Sequence, residues 1–357
     1  MCKRILKLDF SKIIIEWYNL NKRDLPWRIT KDPYYIWLSE IILQQTRVNQ
    51  GLSYYEKFVK NFPTIEDLAN AKDDKVMKLW QGLGYYNRAR NMHTTAKHIT
   101  NILNGEFPNS YEEIIKLKGV GEYTAAAISS FCFEESKAVV DGNVYRLLSR
   151  YYGIFTPIDS TAGKKEFKIL ANELISKKTP GIYNQAIMEF GALQCKPVPN
   201  CTSCPLKNSC ISFNERKNQS LPVKSKKVKQ KTRHFNYLVT TDGKSIYIEQ
   251  RLKKDIWNNL YQFPNIETKI ESVSTPSYDQ ILDIENLIIK SSIQVKHVLT
   301  HQILYCKFWL LFSNEHLPEI KQFKKIPIHE LKSYPVPKVV ENYIHDYPEL
   351  FNSKSYL

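Results

Sequence analysis

SYEEIIKLKGVGEYTAAAISSF, residues 110–131, is the stretch that decides the fold of the N-terminal half. Ser110, with Glu113 three residues later, forms a capping-box pattern that predicts the start of an amphipathic helix running to Leu117. The turn Gly119-Val120-Gly121 then leads into an alanine-rich second helix. Glycines at such a turn let backbone N–H groups bind an anion at a helix N-terminus, but an ordinary helix connection explains them equally well.

Helical patterns surround this hairpin. From about residue 9 to 215, amphipathic stretches of helix length are separated by short Gly, Pro and Asn breaks, which predicts an all-α domain at 1–220. A lysine-rich stretch with little apolar content at 221–233 predicts a basic linker. Beyond it, β-rich runs flank Asp242-Gly243, which is a hairpin signal, so we expect a smaller α+β domain at 234–357.

The chain is strongly basic. It carries 51 Lys and Arg residues against 36 Asp and Glu residues, a formal net charge of +15 over 357 residues. A nucleic-acid partner fits this excess, although lysines that only keep a protein in solution fit it as well. No apolar run approaches the roughly 20 residues that a membrane-spanning helix needs, and the first ten residues form no signal-peptide core. We therefore expect a cytoplasmic protein that does not bind membranes.

Four of the seven cysteines cluster in CKPVPNCTSCPLKNSC, residues 195–210. Four thiolates this close can bind a tetrahedral zinc ion or a [4Fe–4S] cluster, and the spacing C-x5-C-x2-C-x5-C does not choose between them. The other three cysteines are scattered along the chain. We expect a structural metal site made of Cys195, Cys201, Cys204 and Cys210.

Two carboxylates stand in patterns that suit catalysis. Asp141 follows an apolar run and starts a helix, which predicts either a plain N-cap or a carboxylate held ionised in a cleft and oriented by Asn143. Glu40 shares a helical face with Trp37 and Leu43, so it is either a buried acid with a raised pKa or a side chain that reaches solvent or a lysine. A protonated acid opposite an ionised aspartate is the pair that cleaves glycosidic bonds.

Together these features resemble the helix-hairpin-helix DNA glycosylase superfamily with an iron–sulfur loop, and within it the adenine DNA glycosylases of the MutY type. The resemblance covers essentially the whole chain. It implies an N-terminal all-α helix-hairpin-helix glycosylase domain with an iron–sulfur loop and a C-terminal α+β MutT-like (Nudix-like) domain. The motifs that carry it are LPWR (25–28), WLSEIILQQTRV (37–48), GLGYYNRAR (82–90), KGVGEYTAAAI (118–128), VVDGNVYR (139–146), YNQAIMEFGALQC (183–195), EQR (249–251), IWNNLYQFP (256–264) and HVLTH (297–301).

The resemblance implies a hydrolytic mechanism. Glu40 would protonate adenine, and Asp141, oriented by Asn143, would stabilise the oxocarbenium-like sugar, so that free adenine and an abasic site result. Tyr123 occupies the position where the related endonuclease III-type enzymes carry a nucleophilic lysine. A phenol cannot form the Schiff base that leads to strand cleavage, which implies a monofunctional glycosylase.

The resemblance also implies how DNA is bound. The partner would be duplex DNA with adenine opposite 8-oxoguanine or guanine, bound by a monomeric, nucleoid-associated protein of bacterial type. The target nucleotide must leave the duplex stack to reach the carboxylates. The implied contacts are Arg28, Trp27 and Gln185 for the extruded adenine, Gln45, Thr46, Leu83, Tyr85, Thr300 and His301 for the opposite base, and Gly119, Val120 and Gly121 for the DNA backbone.

For the cysteine site, the resemblance favours a [4Fe–4S] cluster, here with five residues where the family usually has six between the first two cysteines.

Residues 264–287 lack the R-E-x-x-E-E set that binds Mg²⁺ in nucleotide pyrophosphohydrolases. We therefore expect the C-terminal domain to bind its ligand without hydrolysing it. Three other functions stay open here: an endonuclease III-like enzyme for oxidised pyrimidines, a non-catalytic zinc-stapled DNA-binding protein, and an active nucleotide hydrolase.

Overall fold

The computed structural model describes residues 2–225, 230–272, 282 and 287–351, with side chains from Phe10 onward. It divides into two compact units. The first contains Met1–Asn70 and Asn91–Lys227, and the second contains Ala71–Arg90 and Val228–Leu357. The first unit is helical and the second is built on a β-sheet, so both expected fold classes are confirmed. None of the helices within the described ranges combines the length and the hydropathy that crossing a bilayer requires.

The helices follow the amphipathic pattern of the sequence. In the described part of the chain the α-helices are α1 (Cys2–Asn21), α2 (Pro33–Leu43), α3 (Val48–Asn61), α4 (Ile65–Asn70), α5 (Asp73–Trp80), α6 (Asn87–Ile102), α7 (Tyr111–Ile114), α8 (Glu122–Phe133), α9 (Gly142–Tyr152), α10 (Thr161–Leu174), α11 (Pro180–Leu193), α12 (Ile211–Asn214) and α13 (Lys338–Asp346). Short 3-10 helices lie at Pro26–Arg28, Lys207–Ser209, Ile328–Ser333 and Pro348–Phe351.

The helical hairpin is formed by α7, the glycine turn and α8. The predicted cap is confirmed, because Ser110 Oγ accepts a hydrogen bond from the backbone N–H of Glu113. The first helix is shorter than predicted and continues to Leu117 only as turns with i→i+3 hydrogen bonds. A cap fixes where a helix starts, but the turn that follows fixes where it ends. Here Gly119 has φ +81°, a left-handed conformation that suits glycine.

Gly119 should be intolerant of any side chain. Its φ is positive, and a Cβ atom added there would lie 2.7 Å from Cβ of Asn91. We expect Gly119→Ala to lower the free energy of unfolding by about 1–3 kcal/mol, measured by denaturant unfolding. Gly142→Ala is the matched control, since no atom lies within 4 Å of its added Cβ. Equal stability of the two variants would contradict this account of the turn.

Four helices of the first unit pack around the positions that carry the chemistry. Asp32 caps α2 by accepting a hydrogen bond from the Tyr34 N–H at 2.8 Å, and Pro33 occupies the first helical position. Asp141 caps α9, as its position predicted. Helix α8 packs against both α2 and α11, and α11 also packs against α9. This packing brings α2, the start of α8, the cap of α9 and one face of α11 around a shared space.

The second unit contains a mixed sheet. Its strands are β1 (Lys231–Thr241), β2 (Ser245–Gln250), β3 (Tyr261–Gln262), β4 (Asn265–Thr268), β5 (Leu287–Val298), β6 (Gln302–Ser313) and β7 (Lys324–Pro327), in the order β3-β2-β1-β6-β5, with β4 on β1 and β7 on β2. Strands β1 and β6 pair in parallel, and the other pairs are antiparallel. The predicted hairpin at Asp242-Gly243 joins β1 to β2, and the predicted closing helix is α13.

Two stretches fall on unexpected sides of the predicted domain limits. Strand β1 begins at Lys231, inside the stretch 221–233 that the sequence suggested as a linker, because its first residues pair with β6. Residues 71–90 cluster with the sheet unit rather than with the helices. One reason is that Lys78 Nζ donates a hydrogen bond to the Tyr334 carbonyl at 3.0 Å. The limits at 220 and 234 stay predictions.

Candidate active site

A cleft of about 1200 Å³ lies in the helical unit, walled by α2, α8, α11, the glycine turn and the cap of α9. It brings together most of the residues that the sequence suggested for catalysis and binding. Those that line it are Glu40, Asp141, Tyr123, Asn143, Arg28, Trp27, Gln185, Gln45, Thr46, Gly119 and Gly121. Of the remaining suggested residues, Val120 is buried beside the turn, and Leu83, Tyr85, Thr300 and His301 belong to the sheet unit.

Glu40 is the buried acid of this cleft, with 6% of its surface exposed. Its pKa is raised to about 7, chiefly by burial; the interaction with Tyr123 and the positive charge of Arg28 lower the pKa, and the negative charge of Asp141 raises it. A carboxylic acid with this pKa is substantially protonated at neutral pH, so it can donate a proton to a bound base. Of the two alternatives for Glu40, the buried acid is the one that the structure shows.

Tyr123 lies beside Glu40 at the start of α8. Its hydroxyl donates a hydrogen bond to Sδ of Met188 on α11 at 3.2 Å and also interacts with the Glu40 carboxylate. Burial raises the pKa of the phenol well above its ordinary value, and the charges of Glu40 and Asp141 raise it further. Tyr123 therefore stays protonated and acts as a hydrogen-bond donor, and it offers no amine to a sugar carbon.

Asp141 faces the same cleft from the N-terminus of α9. Its Oδ1 accepts the backbone N–H of Val144 at 2.8 Å, and its Oδ2 accepts the Asn143 side-chain amide at 2.8 Å. Burial raises its pKa, and these hydrogen bonds and the charge of Arg146 oppose that rise. Both contacts donate to the carboxylate, and the helix N-terminus adds a favourable dipole. The arrangement suits an anion, so Asp141 is a cap and a cleft carboxylate at once.

A chain of contacts fixes Asn143 in turn. Its Oδ1 accepts a hydrogen bond from Arg146 Nη2 at 2.8 Å. The same guanidinium donates to the carbonyls of Gly191 at 2.6 Å and Cys195 at 2.8 Å. Helix α9 thus ties the Asp141 carboxylate to the end of α11 and to the first cysteine of the cluster. Sequence reasoning identified Asn143 but missed Arg146, although it stands three residues later on the same helix.

A second charged group, built around Glu189, also lines the cleft. Glu189, which is 1% exposed, accepts two hydrogen bonds from Arg28 at 2.8–2.9 Å and two from the Arg23 guanidinium at 2.6–2.8 Å. Burial raises the pKa of Glu189, but the hydrogen bonds from both arginines outweigh burial and hold it at about 2. Arg28 also donates to the Arg23 carbonyl. Since a guanidinium has five N–H donors, Arg28 keeps donors for a ligand while its position is fixed.

Gln185 and Trp27 are held by aromatic neighbours. Gln185 lines the cleft, and its Oε1 accepts a hydrogen bond from the Tyr18 hydroxyl at 2.6 Å, so the amide N–H₂ group remains as its donor. Trp27 packs edge-on against Tyr55, with ring centroids 5.1 Å apart. A flat apolar wall beside fixed polar groups suits a planar, hydrogen-bonding ligand such as a nucleobase.

The four clustered cysteines line one small cavity beside α9. Arg150 Nη1 donates to Cys195 Sγ at 3.7 Å, and Asn218 Nδ2 donates to Cys201 Sγ at 3.6 Å. Arg150 also donates to two carbonyls of the loop after Cys195. Cationic and amide donors around sulfur suit thiolates bound to a metal or cluster, so this donor set fits the group that the sequence suggested. Within the described ranges, no three His, Cys, Asp or Glu side chains form a site for one metal ion.

In the sheet unit, two stretches suggested for reading the opposite base meet. The Tyr85 hydroxyl and Thr300 Oγ1 are 2.6 Å apart. Tyr85 is 45% exposed and has φ +47°, whereas Leu83 is only 6% exposed. Arg88 packs over the Tyr85 ring, which stiffens this loop. Of the two suggested side chains, Tyr85 is therefore the exposed one and Leu83 the buried one.

Known proteins match both units. The model of the HhH-GPD superfamily base excision DNA repair protein matches residues 38–176, and the NUDIX domain model matches residues 236–346. The adenine DNA glycosylase of Buchnera aphidicola subsp. Acyrthosiphon pisum is 35% identical over 350 residues, which are 94% of this chain and 98% of that protein. The chain belongs to the adenine DNA glycosylase family. It is therefore a DNA N-glycosylase of base excision repair, as the motifs predicted.

Other relatives agree with this membership. The adenine DNA glycosylase of Buchnera aphidicola subsp. Baizongia pistaciae is 38% identical over 86% of this chain and 87% of its own length. Among solved structures, a thermostable thymine-DNA glycosylase matches with a TM-score of 0.56 at 28% identity, over 60% of this chain and 100% of that one. A non-covalent endonuclease III–DNA complex, at 23% identity, a TM-score of 0.50 and coverage of 59% and 97%, shares the fold of the glycosylase unit.

Proposed function

We propose that this adenine DNA glycosylase removes adenine paired with 8-oxoguanine or guanine in duplex DNA, and that it hydrolyses the N-glycosidic bond without cutting the strand. One observation carries the mechanism: a buried Glu40 with a pKa near 7 shares a cleft with a hydrogen-bonded Asp141. Family membership supports adenine as the excised base, because the relatives that cover most of the chain are adenine DNA glycosylases.

The chemistry follows from the two carboxyl groups. An adenine extruded from the duplex enters the cleft, where Glu40 donates its proton to a ring nitrogen and makes adenine a better leaving group. As the bond between base and sugar breaks, the positive charge on the sugar develops near the Asp141 carboxylate. A water molecule then forms the new bond to the sugar carbon, and its proton returns to the Glu40 carboxylate, which restores the acid. The products are free adenine and an abasic site.

Base recognition is assigned to polar and aromatic side chains that line the same cleft as the carboxylates. Arg28, fixed by Glu189, and Gln185, fixed by Tyr18, present N–H donors to the cleft. Trp27 supplies the flat wall. Adenine offers acceptors at its ring nitrogens, so donors at fixed positions hold it in the orientation that Glu40 requires.

The absence of strand cleavage is proposed from the cleft lining. Strand cleavage by this fold requires an amine that attacks the sugar carbon and forms a Schiff base. The described residues that line the cleft include Tyr123 in that position and no lysine. This is the main argument against the endonuclease III-like alternative.

Contacts to the opposite base are proposed for each unit by itself. Gln45 and Thr46 follow α2 and line the cleft, and Gln45 has φ +55°. Tyr85 and Thr300, with the neighbouring Leu83 and His301, supply the contacts from the sheet unit. The turn carries Leu299 before Thr300, so the hydroxyl and imidazole do the reading without an adjoining aromatic ring. The Gly119–Gly121 turn is proposed to bind the DNA backbone.

The C-terminal unit is proposed to bind rather than hydrolyse nucleotides. In the described part of residues 264–287, Glu267 is paired with Arg233 at 2.6 Å, and Arg233 also pairs with Asp255. Paired carboxylates are poor ligands for Mg²⁺. Residues 273–281 and 283–286 of that stretch lie outside the described residues.

We further propose that the protein acts as a monomer in the cytoplasm, in association with the nucleoid.

We propose a [4Fe–4S] cluster on Cys195, Cys201, Cys204 and Cys210, with a structural role. The purified protein should be brown and contain about four iron and four sulfide ions per chain. Iron and sulfide analysis with visible absorbance checks this, and Cys306→Ser, at a buried cysteine in the sheet unit, is the control that should keep both. Stoichiometric zinc in a colourless, folded protein would contradict the cluster.

The proposed function is tested by single-turnover excision on duplexes with adenine opposite 8-oxoguanine, guanine or thymine, with half of each sample treated with alkali. We expect release opposite the first two bases and strand breaks only after alkali. Strand breaks without alkali, together with a covalent protein–DNA adduct after borohydride reduction, would support the endonuclease III-like alternative. Release opposite thymine at the same rate would show that the opposite base is not read.

A further inference from the structure

The Tyr123 hydroxyl carries one proton and faces two acceptors of different strength. It donates a hydrogen bond to Met188 Sδ at 3.2 Å, and the Glu40 carboxylate, which interacts with the phenol, is the second acceptor. An ionised carboxylate is a much stronger acceptor than a thioether, so ionised Glu40 accepts the hydrogen bond from the phenol. A protonated Glu40 accepts less strongly, and the thioether is then the alternative acceptor.

We propose that Met188 is a positioning residue, which accepts the hydrogen bond of the Tyr123 hydroxyl when Glu40 is protonated and so stabilises the acid form that protonates adenine. Met188 acts through Tyr123 and has no contact of its own with the reacting bond in this scheme. The proposal rests on the proposed role of Glu40 as the general acid.

The geometry supports this role for Met188. It lies on α11 between Gln185 and Glu189, and all three side chains line the cleft. Tyr123 lies on α8, which packs against α11. A leucine at this position would fill nearly the same volume but accept no hydrogen bond. The protonated form of Glu40 would then leave the Tyr123 hydroxyl with a poor partner, whereas the ionised form would keep a good one.

Several other groups act on Glu40, and Met188→Leu leaves them in place. The Asp141 charge raises its pKa, while the Arg28 charge and the Tyr123 hydrogen bond lower it. The Cys132 thiol is close enough for Glu40 to raise its pKa, but burial is the larger cause and the pKa of about 12 keeps this thiol neutral. A change in the pH dependence on replacing Met188 therefore reports on its sulfur.

The test compares the pH dependence of single-turnover adenine release in wild type and Met188→Leu. We expect the rate to fall with rising pH in both proteins, with the midpoint about 0.5 pH unit lower in the variant. The variant should thus be about threefold slower at about pH 8 and equal to wild type at about pH 5.5. Met92→Leu, at a buried methionine of α6 outside the cleft lining, is the control with an unchanged midpoint.

Two further variants separate hydrogen bonding from packing. Met188→Gln restores an acceptor and should return the midpoint towards wild type. In a Tyr123→Phe background, Met188→Leu should leave the midpoint unchanged, because the phenol through which Met188 acts is gone. An unshifted midpoint in Met188→Leu, an equal loss of rate at every pH, or a shift that persists without the phenol would each overturn the proposal. Full activity of Glu40→Gln would instead overturn the general acid itself, and the Met188 proposal with it.

Discussion

Replacing Glu40 with glutamine should slow adenine release by about 10³-fold near neutral pH while DNA affinity stays close to that of wild type. Glutamine has the shape of glutamic acid but no proton to give to a leaving base. Glu40 is buried, so no water from bulk solvent easily takes over its role. Single-turnover excision on the adenine:8-oxoguanine duplex, with binding measured on the same duplex, checks both parts.

Glu122→Gln is the matched control for this variant. Glu122 lines the same cleft, but it is exposed and pairs with Lys168 at 3.0 Å. An exposed pair of this kind contributes little, so excision should be retained. If Glu40→Gln and Glu122→Gln excised adenine equally well, Glu40 would be structural and the mechanism would be wrong.

Asp141→Asn should slow adenine release by about 10²–10³-fold, because the variant removes the negative charge that the developing sugar cation needs. Asparagine caps a helix about as well as aspartate, so α9 should keep its start and the protein its stability. The hydrogen bond from the Val144 N–H to the side-chain oxygen can persist in the variant. Loss of activity with an unchanged thermal unfolding midpoint would therefore show that catalysis depends on the negative charge of Asp141 and not on its role as a cap.

The control for Asp141→Asn is the same change at another helix cap. Asp32 caps α2 and accepts the Tyr34 N–H, but it does not line the cleft. Asp32→Asn should leave both excision and stability near wild type. Retained excision in Asp141→Asn would contradict the electrostatic role, and a fall in stability limited to that variant would show that its lost activity reflects the fold.

Features set by neighbouring residues were predictable from the sequence. The Ser110 cap, the glycine turn, the Asp141 cap and the Asp242-Gly243 hairpin each depend on a few consecutive residues, and the structure confirms all of them. The burial of Glu40 was one of two alternatives, because a helical face that is apolar in sequence does not reveal what packs on it. The structure decided that question through α8 and the cap of α9.

Contacts between distant segments were not predictable in the same way. Glu189 joins Arg23 and Arg28 across more than 160 residues of sequence, and Tyr18 reaches Gln185 across 167. The only hint in the sequence is that Gln185 and Glu189 share one helical face. Such pairs depend on how α1 and α11 pack, which no local pattern specifies.

The loop between α5 and α6 shows the same limit. The motif GLGYYNRAR suggested that Leu83 and Tyr85 act alike, but the structure buries the first and exposes the second. The difference arises because Tyr85 takes a left-handed backbone conformation and meets Thr300, a residue 215 positions away. The motif therefore identified both residues, but tertiary packing determines which of them is exposed.

The pH dependence of single-turnover adenine release in the wild-type protein tests the central claim most directly, since it reports the protonation state of the acid that drives the reaction. Burial places the pKa of Glu40 at about 7. Because a general acid works only when protonated, the rate should fall as the pH rises through a midpoint near 7, and Glu40→Gln should show no such fall. A wild-type rate that rises through pH 7, or that stays constant across the range, would contradict the account.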